Sequence, residues 1–138
     1  MNNSRPDLRD RTFNYARRII RLFCALPKTD VARVLGKQFL RSGTSVGANY
    51  REAYRSRSRS EFQAITGICL KEIEETDYWL SLLAAENIIK PKRLEPLLDE
   101  TRQLIAIFVT ITKNTKYGKP SEPSEPSEPP DSTESADS

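Results

Sequence analysis

An apolar residue returns every third or fourth position along four successive stretches of the sequence, and short polar or proline-marked gaps separate them. That period is the signature of an amphipathic helix, and four copies of it leave few folds open. The first stretch, residues 7–26, places Phe13, Ala16, Ile20, Phe23 and Cys24 on one face and closes at Pro27. Thr29 is the expected N-cap of a long second helix with Val31, Leu35, Phe39, Val46 and Ala53 in its stripe, ending near the basic run 55–59. Ser60 and Gln63 are spaced as a capping box for the third helix, which carries Phe62, Ile65, Cys69, Ile73, Thr76, Leu80 and Leu83. Asn87 suits a left-handed stop. Pro91 then opens a fourth helix striped by Leu94, Leu97, Leu98, Thr101, Leu104, Ile105, Phe108 and Ile111.

Helices of about 20–27 residues span roughly 30–40 Å, and the gaps between them are too short for anything but antiparallel neighbours. The expected fold is therefore all-α, an antiparallel up-down-up-down four-helix bundle. The 138 residues fit one domain, and five glycines in the chain argue against a β meander. We place the bundle at residues 1–117 and a disordered, acidic C-terminal tail at 118–138. In the tail Ser-Glu-Pro repeats three times over 121–129 without a large apolar residue. Such a segment cannot offset its ordering entropy and is expected to be extended and solvated.

Splitting the chain this way exposes a charge asymmetry. The tail holds one Lys against six acids, which leaves residues 1–117 with 21 basic and 13 acidic side chains, a net of +8. Residues 1–59 alone carry 14 Lys or Arg against four acids, whereas residues 60–86 carry Lys71 against six. No apolar stretch approaches the ~20 residues that span a bilayer, and residues 1–10 lack the apolar run of a signal peptide. A cytoplasmic protein with no membrane association is the expectation.

Catalytic machinery is hard to assemble from this composition. Histidine is absent, which removes the commonest general base, the usual triads and most zinc sites. Cys24 and Cys69 stand singly within apolar pattern and are expected to be buried as small hydrophobes. Glu72 and Glu75 share a face of the third helix, but helical di-iron sites need Glu-x-x-His pairs. Neither a metal nor any other cofactor is expected. A solvated acidic face, or one that pairs with a basic neighbour, suits these carboxylates better. Gly36, Gly43 and Gly47 do not follow a strand, so they form no phosphate loop. Each costs a helix interior about 1 kcal/mol relative to Ala. Their spacing puts them on one side of the second helix, as a strip for tight packing inside the bundle or for a subunit contact. Asn49, near the apolar arc, suits a hydrogen-bonded amide that fixes helix register. Tyr78 and Trp79 point in different directions, one expected in the core and the other partly exposed.

Basic residues are better ordered than the acids. Arg33, Lys37 and Arg41 fall at i, i+4 and i+8, Arg51 and Arg55 continue the second helix, and Arg17 and Arg21 repeat the spacing on the first. Such a ridge can follow a phosphate backbone without reading bases. It also suits a solvated surface or a row that meets the acidic third helix of a neighbouring subunit.

The stretch from Leu40 through Arg41, Ser42, Gly43, Thr44, Ser45, Val46, Gly47, Ala48, Asn49, Tyr50, Arg51, Glu52 and Ala53 resembles a known pattern. With Arg59-Ser60-Glu61-Phe62 and Leu70-Lys71-Glu72-Ile73-Glu74-Glu75-Thr76, it is similar to the bacterial four-helix-bundle family, the 23S rRNA-intervening sequence proteins. Arg41, Ser42, Ser45, Asn49 and Glu52 match the family's second-helix signature, and Ser60, Glu61 and Phe62 its third-helix start. Tyr50 and Arg51 depart from the Asn-Ile-Ala-Glu-Gly of many members. The resemblance covers about residues 8–117. It implies a cytoplasmic, non-enzymatic bundle that forms a homopentamer. It also implies kinship with the accessory variability determinant of diversity-generating retroelements, which binds nucleic acid and a reverse transcriptase.

The expected function is a self-associating bundle that offers a basic surface to RNA or DNA, with a reverse transcriptase among the implied protein partners. The competing expectation is a purely structural oligomer or protein-partner adaptor. An enzyme using the acidic third helix is a distant third.

Overall fold

A computed structural model describes residues 7–114. Four helices account for nearly all of them: α1 (Leu8–Cys24), α2 (Asp30–Tyr54), α3 (Arg59–Ala85) and α4 (Pro91–Lys113). The fold is the all-α, up-down four-helix bundle that the periodicity predicts. The acidic tail at 118–138 lies outside the described residues.

Local chemistry fixes most of the helix ends. The Thr29 hydroxyl accepts from the Ala32 amide at 3.1 Å, as the sequence suggests, and the Asp7 carboxylate caps α1 by accepting from the Arg9 amide at 2.7 Å. The α3 capping box is displaced from the expected Ser60/Gln63 pair. Ser58 accepts from the Glu61 amide at 3.0 Å, and the Glu61 carboxylate reaches back to the Arg57 amide at 3.0 Å. A carboxylate accepts this bond more strongly than a side-chain amide, and Gln63 is engaged elsewhere, donating to the Thr112 carbonyl at 2.9 Å. Asn87 does stop α3 in the left-handed region, at φ 54°. The Ile88 amide donates to the Leu83 carbonyl and the Asn87 amide to Ala84, which satisfies two carbonyls the helix end would leave bare. Pro91 opens α4, where its missing N–H costs nothing.

Expected stripes on α3 and α4 are the ones that pack: Phe62, Cys69, Ile73, Thr76, Leu80 and Leu83 are buried against Leu94, Leu97, Leu104 and Phe108. The burying face of α1 differs from the expected one by about one residue. Phe13 is 52% exposed, Ile20 46%, and Cys24 is exposed, while Thr12, Tyr15 and Ile19 are fully enclosed. Two of these three carry hydroxyls that the bundle satisfies, which lets polar-tipped residues occupy the core. Tyr15 donates to Thr101 on α4 at 2.6 Å, and Thr12 donates to the Leu8 carbonyl at 2.9 Å. On α2, Val31 is exposed and its neighbour Ala32 is buried, so close approach by a small residue wins over apolar bulk.

Helix neighbours are α1 with α2, α2 with α3, and α3 with α4. The fourth side is closed by the Tyr15–Thr101 bond and by Arg11, which makes a two-pronged contact with Glu100 on α4 at 2.8 and 2.9 Å. Hydroxyl pairs recur at other seams, the buried pair Ser42 with Thr76 at 2.7 Å and the part-buried pair Thr66 with Thr112 at 3.1 Å. Each contributes about 0.5–1.5 kcal/mol, and a slip of register would break them.

Candidate functional site

The glycine strip belongs to the bundle. A Cβ on Gly36 would stand 2.6 Å from Leu26, one on Gly43 2.8 Å from Ile19, and one on Gly47 3.2 Å from the Thr12 carbonyl oxygen. All three glycines pack against side chains or backbone of α1 and the residue Leu26 just beyond it, within the same chain. They also set the register, since Thr12 sits at Gly47, Ile19 at Gly43, and Phe23 with Leu26 at Gly36.

That register decides where the basic row goes. Gly36, Gly43 and Gly47 face α1, so Arg33, Lys37, Arg51 and Arg55 lie on the outer flank of α2 that borders α1. Arg17 and Arg21 rise from the neighbouring outer flank of α1, and all six side chains are exposed. Arg33 pairs with Asp30 at 3.2 Å, an exposed contact of little energetic weight. Arg51 lies over the Phe13 ring, its guanidinium carbon 5.6 Å from the centroid. Among the described residues Arg17, Arg21, Lys37 and Arg55 pair with no carboxylate.

Arg41 leaves this row. It turns to the opposite flank of α2 and pairs with Glu75 at 2.8 Å and Glu72 at 3.8 Å within the same chain. The acidic face expected for a solvated or intermolecular role is thus partly neutralised by its own α2. Trp79 joins the cluster by donating from its indole nitrogen to Glu75 at 3.3 Å. Trp79 is half-buried, and Tyr78 is 60% exposed. Asn49 donates to the Ser45 carbonyl at 2.9 Å, a bond that stays within α2 and spans no helix pair.

Two features of the α1–α2 face were missed in the sequence. The apolar stripe puts Phe13 on the buried face of α1, yet it stands in water beside Arg51. Arg9, one turn before it on α1, lies over the Tyr54 ring at 3.8 Å and is held by Asp7 at 2.8 Å. The Arg9 side chain lowers the Asp7 carboxyl below its ordinary value by hydrogen bonding. A signal was present: Arg9, Phe13 and Arg17 recur at i, i+4 and i+8, which places a ring between two cations on one stripe.

Burial, not activation, governs the groups that depart furthest from their ordinary acidity. Desolvation raises the Tyr15 and Tyr50 hydroxyls and pushes the Cys69 thiol up to about 12. A thiol so shifted is a poor nucleophile, and it donates to the Val46 carbonyl at 3.6 Å.

The fold and its surface define an all-α, up-down four-helix bundle with a basic face on α1 and α2. No helix among the described residues is long and apolar enough to cross a membrane. The chain belongs to the 23S rRNA-intervening sequence protein family, whose sequence model matches residues 7–110. A solved relative from Bacteroides thetaiotaomicron, a protein of unknown function from the S23 ribosomal protein family, is 36% identical. The match covers 78% of this chain and 100% of that one, with a TM-score of 0.73. Among curated proteins none matches.

Proposed function

We propose that this protein is a non-enzymatic, cytoplasmic bundle that self-associates, as a pentamer, and binds RNA or DNA through the outer face of α1 and α2. The observation that carries the reading is the cluster of exposed cations there that meet no carboxylate among the described residues, Arg17, Arg21, Lys37 and Arg55, together with Arg51 over the Phe13 ring. Cations without carboxylate partners release counterions when they meet phosphates, which gives affinity without sequence selection. Val31 and Val34 on α2 and Ile68 on α3 are exposed and offer apolar side chains to a second copy of the chain.

The test is Arg33→Glu combined with Lys37→Glu, with light-scattering mass and nucleic-acid affinity measured on the same sample. Binding by the wild type should fall with salt at a slope of about −0.7 to −0.9 per contacted phosphate. The variant should bind unrelated sequences more weakly and keep its helical spectrum and mass. Loss of the oligomer in the variant, or salt-insensitive binding by the wild type, favours the structural oligomer and removes the nucleic-acid role. A monomeric wild type at micromolar concentration removes self-association.

A further inference from the structure

Resting on the nucleic-acid reading above, we infer that the α1–α2 face is built for single strands, with Phe13 as a platform on which an unpaired base stacks. Phe13 leaves 52% of its surface in water, although buried positions lie on either side of it at Thr12 and Tyr15. Its stripe on α1 runs Arg9, Phe13, Arg17 and Ile20, so cations and apolar groups alternate along about 16 Å of helix. Ile20 is also open to solvent, 46% exposed. Arg51 comes from α2 to lie over the Phe13 ring at 5.6 Å, close to the ~6 Å limit of cation–π attraction. A guanidinium held that loosely is free to take a phosphate while the ring takes the base.

A row that served only to follow phosphates would gain nothing from an exposed ring in its midst, because phosphates do not stack. Bases in a duplex are turned inward and stacked on one another, out of reach of a side chain on a smooth helix face. Unpaired bases offer their π-faces, and basic grooves with interleaved aromatics are the usual surface for them. Stacking tolerates any base, which agrees with a row that holds phosphates irrespective of sequence.

The experiment uses the full chain and two fluorescein-labelled probes, a single strand of about 12 nucleotides without self-complementarity and the duplex of the same sequence. Affinities are read by anisotropy across a salt series for wild type, Phe13→Leu and Phe13→Trp. Leucine keeps the apolar bulk and removes the π-face, whereas tryptophan keeps the face. Wild type should prefer the single strand. Phe13→Leu should weaken single-strand binding by about tenfold and leave duplex affinity, salt slope, mass and melting temperature unchanged. Phe13→Trp should bind the single strand as wild type does. Equal loss on both probes, no loss on either, or a change in mass that marks Phe13 as a subunit contact would overturn the inference. The two readings fail differently. Salt-sensitive binding that ignores Phe13 removes the stacking platform alone, while absence of salt-sensitive binding to either probe removes the nucleic-acid function and this inference with it.

Discussion

The two flanks of α2 carry cations to opposite ends. On the α3 side, Arg41 is neutralised by Glu72 and Glu75, and the seam beneath it is held by the Ser42–Thr76 hydroxyl pair and the Cys69 thiol on the Val46 carbonyl. On the α1 side, Lys37, Arg51 and Arg55 face outward beside a seam made of bare glycines. Arg41 and Lys37 are one turn apart in sequence, yet the ~40° that four residues leave over from a full turn is enough to send them to different neighbours. Formal charge on a helix therefore says little about surface charge until the neighbouring helix is in place.

The glycine seam can be broken most directly at Gly47. Its absent Cβ faces the Thr12 backbone, which cannot swing aside as a side-chain end can. Gly47→Val should destabilise the bundle by about 1–3 kcal/mol through overpacking, read as a lower midpoint in chemical denaturation. An unchanged midpoint would show that α1 docks less closely than the 3.2 Å contact requires.

The hydroxyl and thiol seam should respond to base. An unfolded Cys69 ionises near its ordinary 9.0, while the folded thiol holds its proton up to about 12. The unfolded chain thus binds fewer protons than the folded one in this window, so stability is intact below pH 9.0 and falls as pH rises toward 12. Buried Tyr15 and Tyr50 act in the same direction. Melting followed by circular dichroism above about pH 9 checks the trend. At neutral pH a thiol reagent should modify Cys24 and spare Cys69 until the protein unfolds. Fast modification of both in the native state would contradict the burial of the α2–α3 seam.

Smallest of all on stability should be removal of residues 118–138. Truncation after Tyr117 should leave the melting temperature nearly unchanged and strengthen any nucleic-acid binding, because six acids are removed from a chain whose remainder carries a net +8. A large drop in melting temperature would show that the tail packs on the bundle.

What could be read from sequence follows from how each surface is made. The stripes of α3 and α4 are dense in Leu, Ile and Phe, so period alone finds their buried faces. On α1 and α2 the burying residues include Thr12, Tyr15, Ala32, Gly36 and Gly43, which become core only when a partner fills the gap or accepts the hydroxyl's proton. Spacing picks out seven basic positions on α1 and α2. It does not show the neutralisation of Arg41, because Glu72 and Glu75 stand more than 30 positions away and the pairing depends on how α3 docks. The exposure of Phe13 was hidden for a related reason, since a phenylalanine in an apolar stripe reads as core unless its face is already known.

Reversing charge on one flank of α2 at a time puts the difference to its most direct test. Salt-dependent nucleic-acid affinity should be measured for Lys37→Glu with Arg55→Glu on the α1 side, and for Arg41→Glu on the α3 side, with mass recorded for each. The first pair removes cations that meet no carboxylate among the described residues and should weaken binding severalfold with the fold and mass intact. Arg41→Glu sets a third carboxylate beside Glu72 and Glu75 and should lower stability while leaving the affinity of the folded protein close to wild type. Equal losses of affinity from both flanks, or a loss confined to Arg41→Glu, would contradict the assignment of nucleic-acid binding to the α1–α2 face.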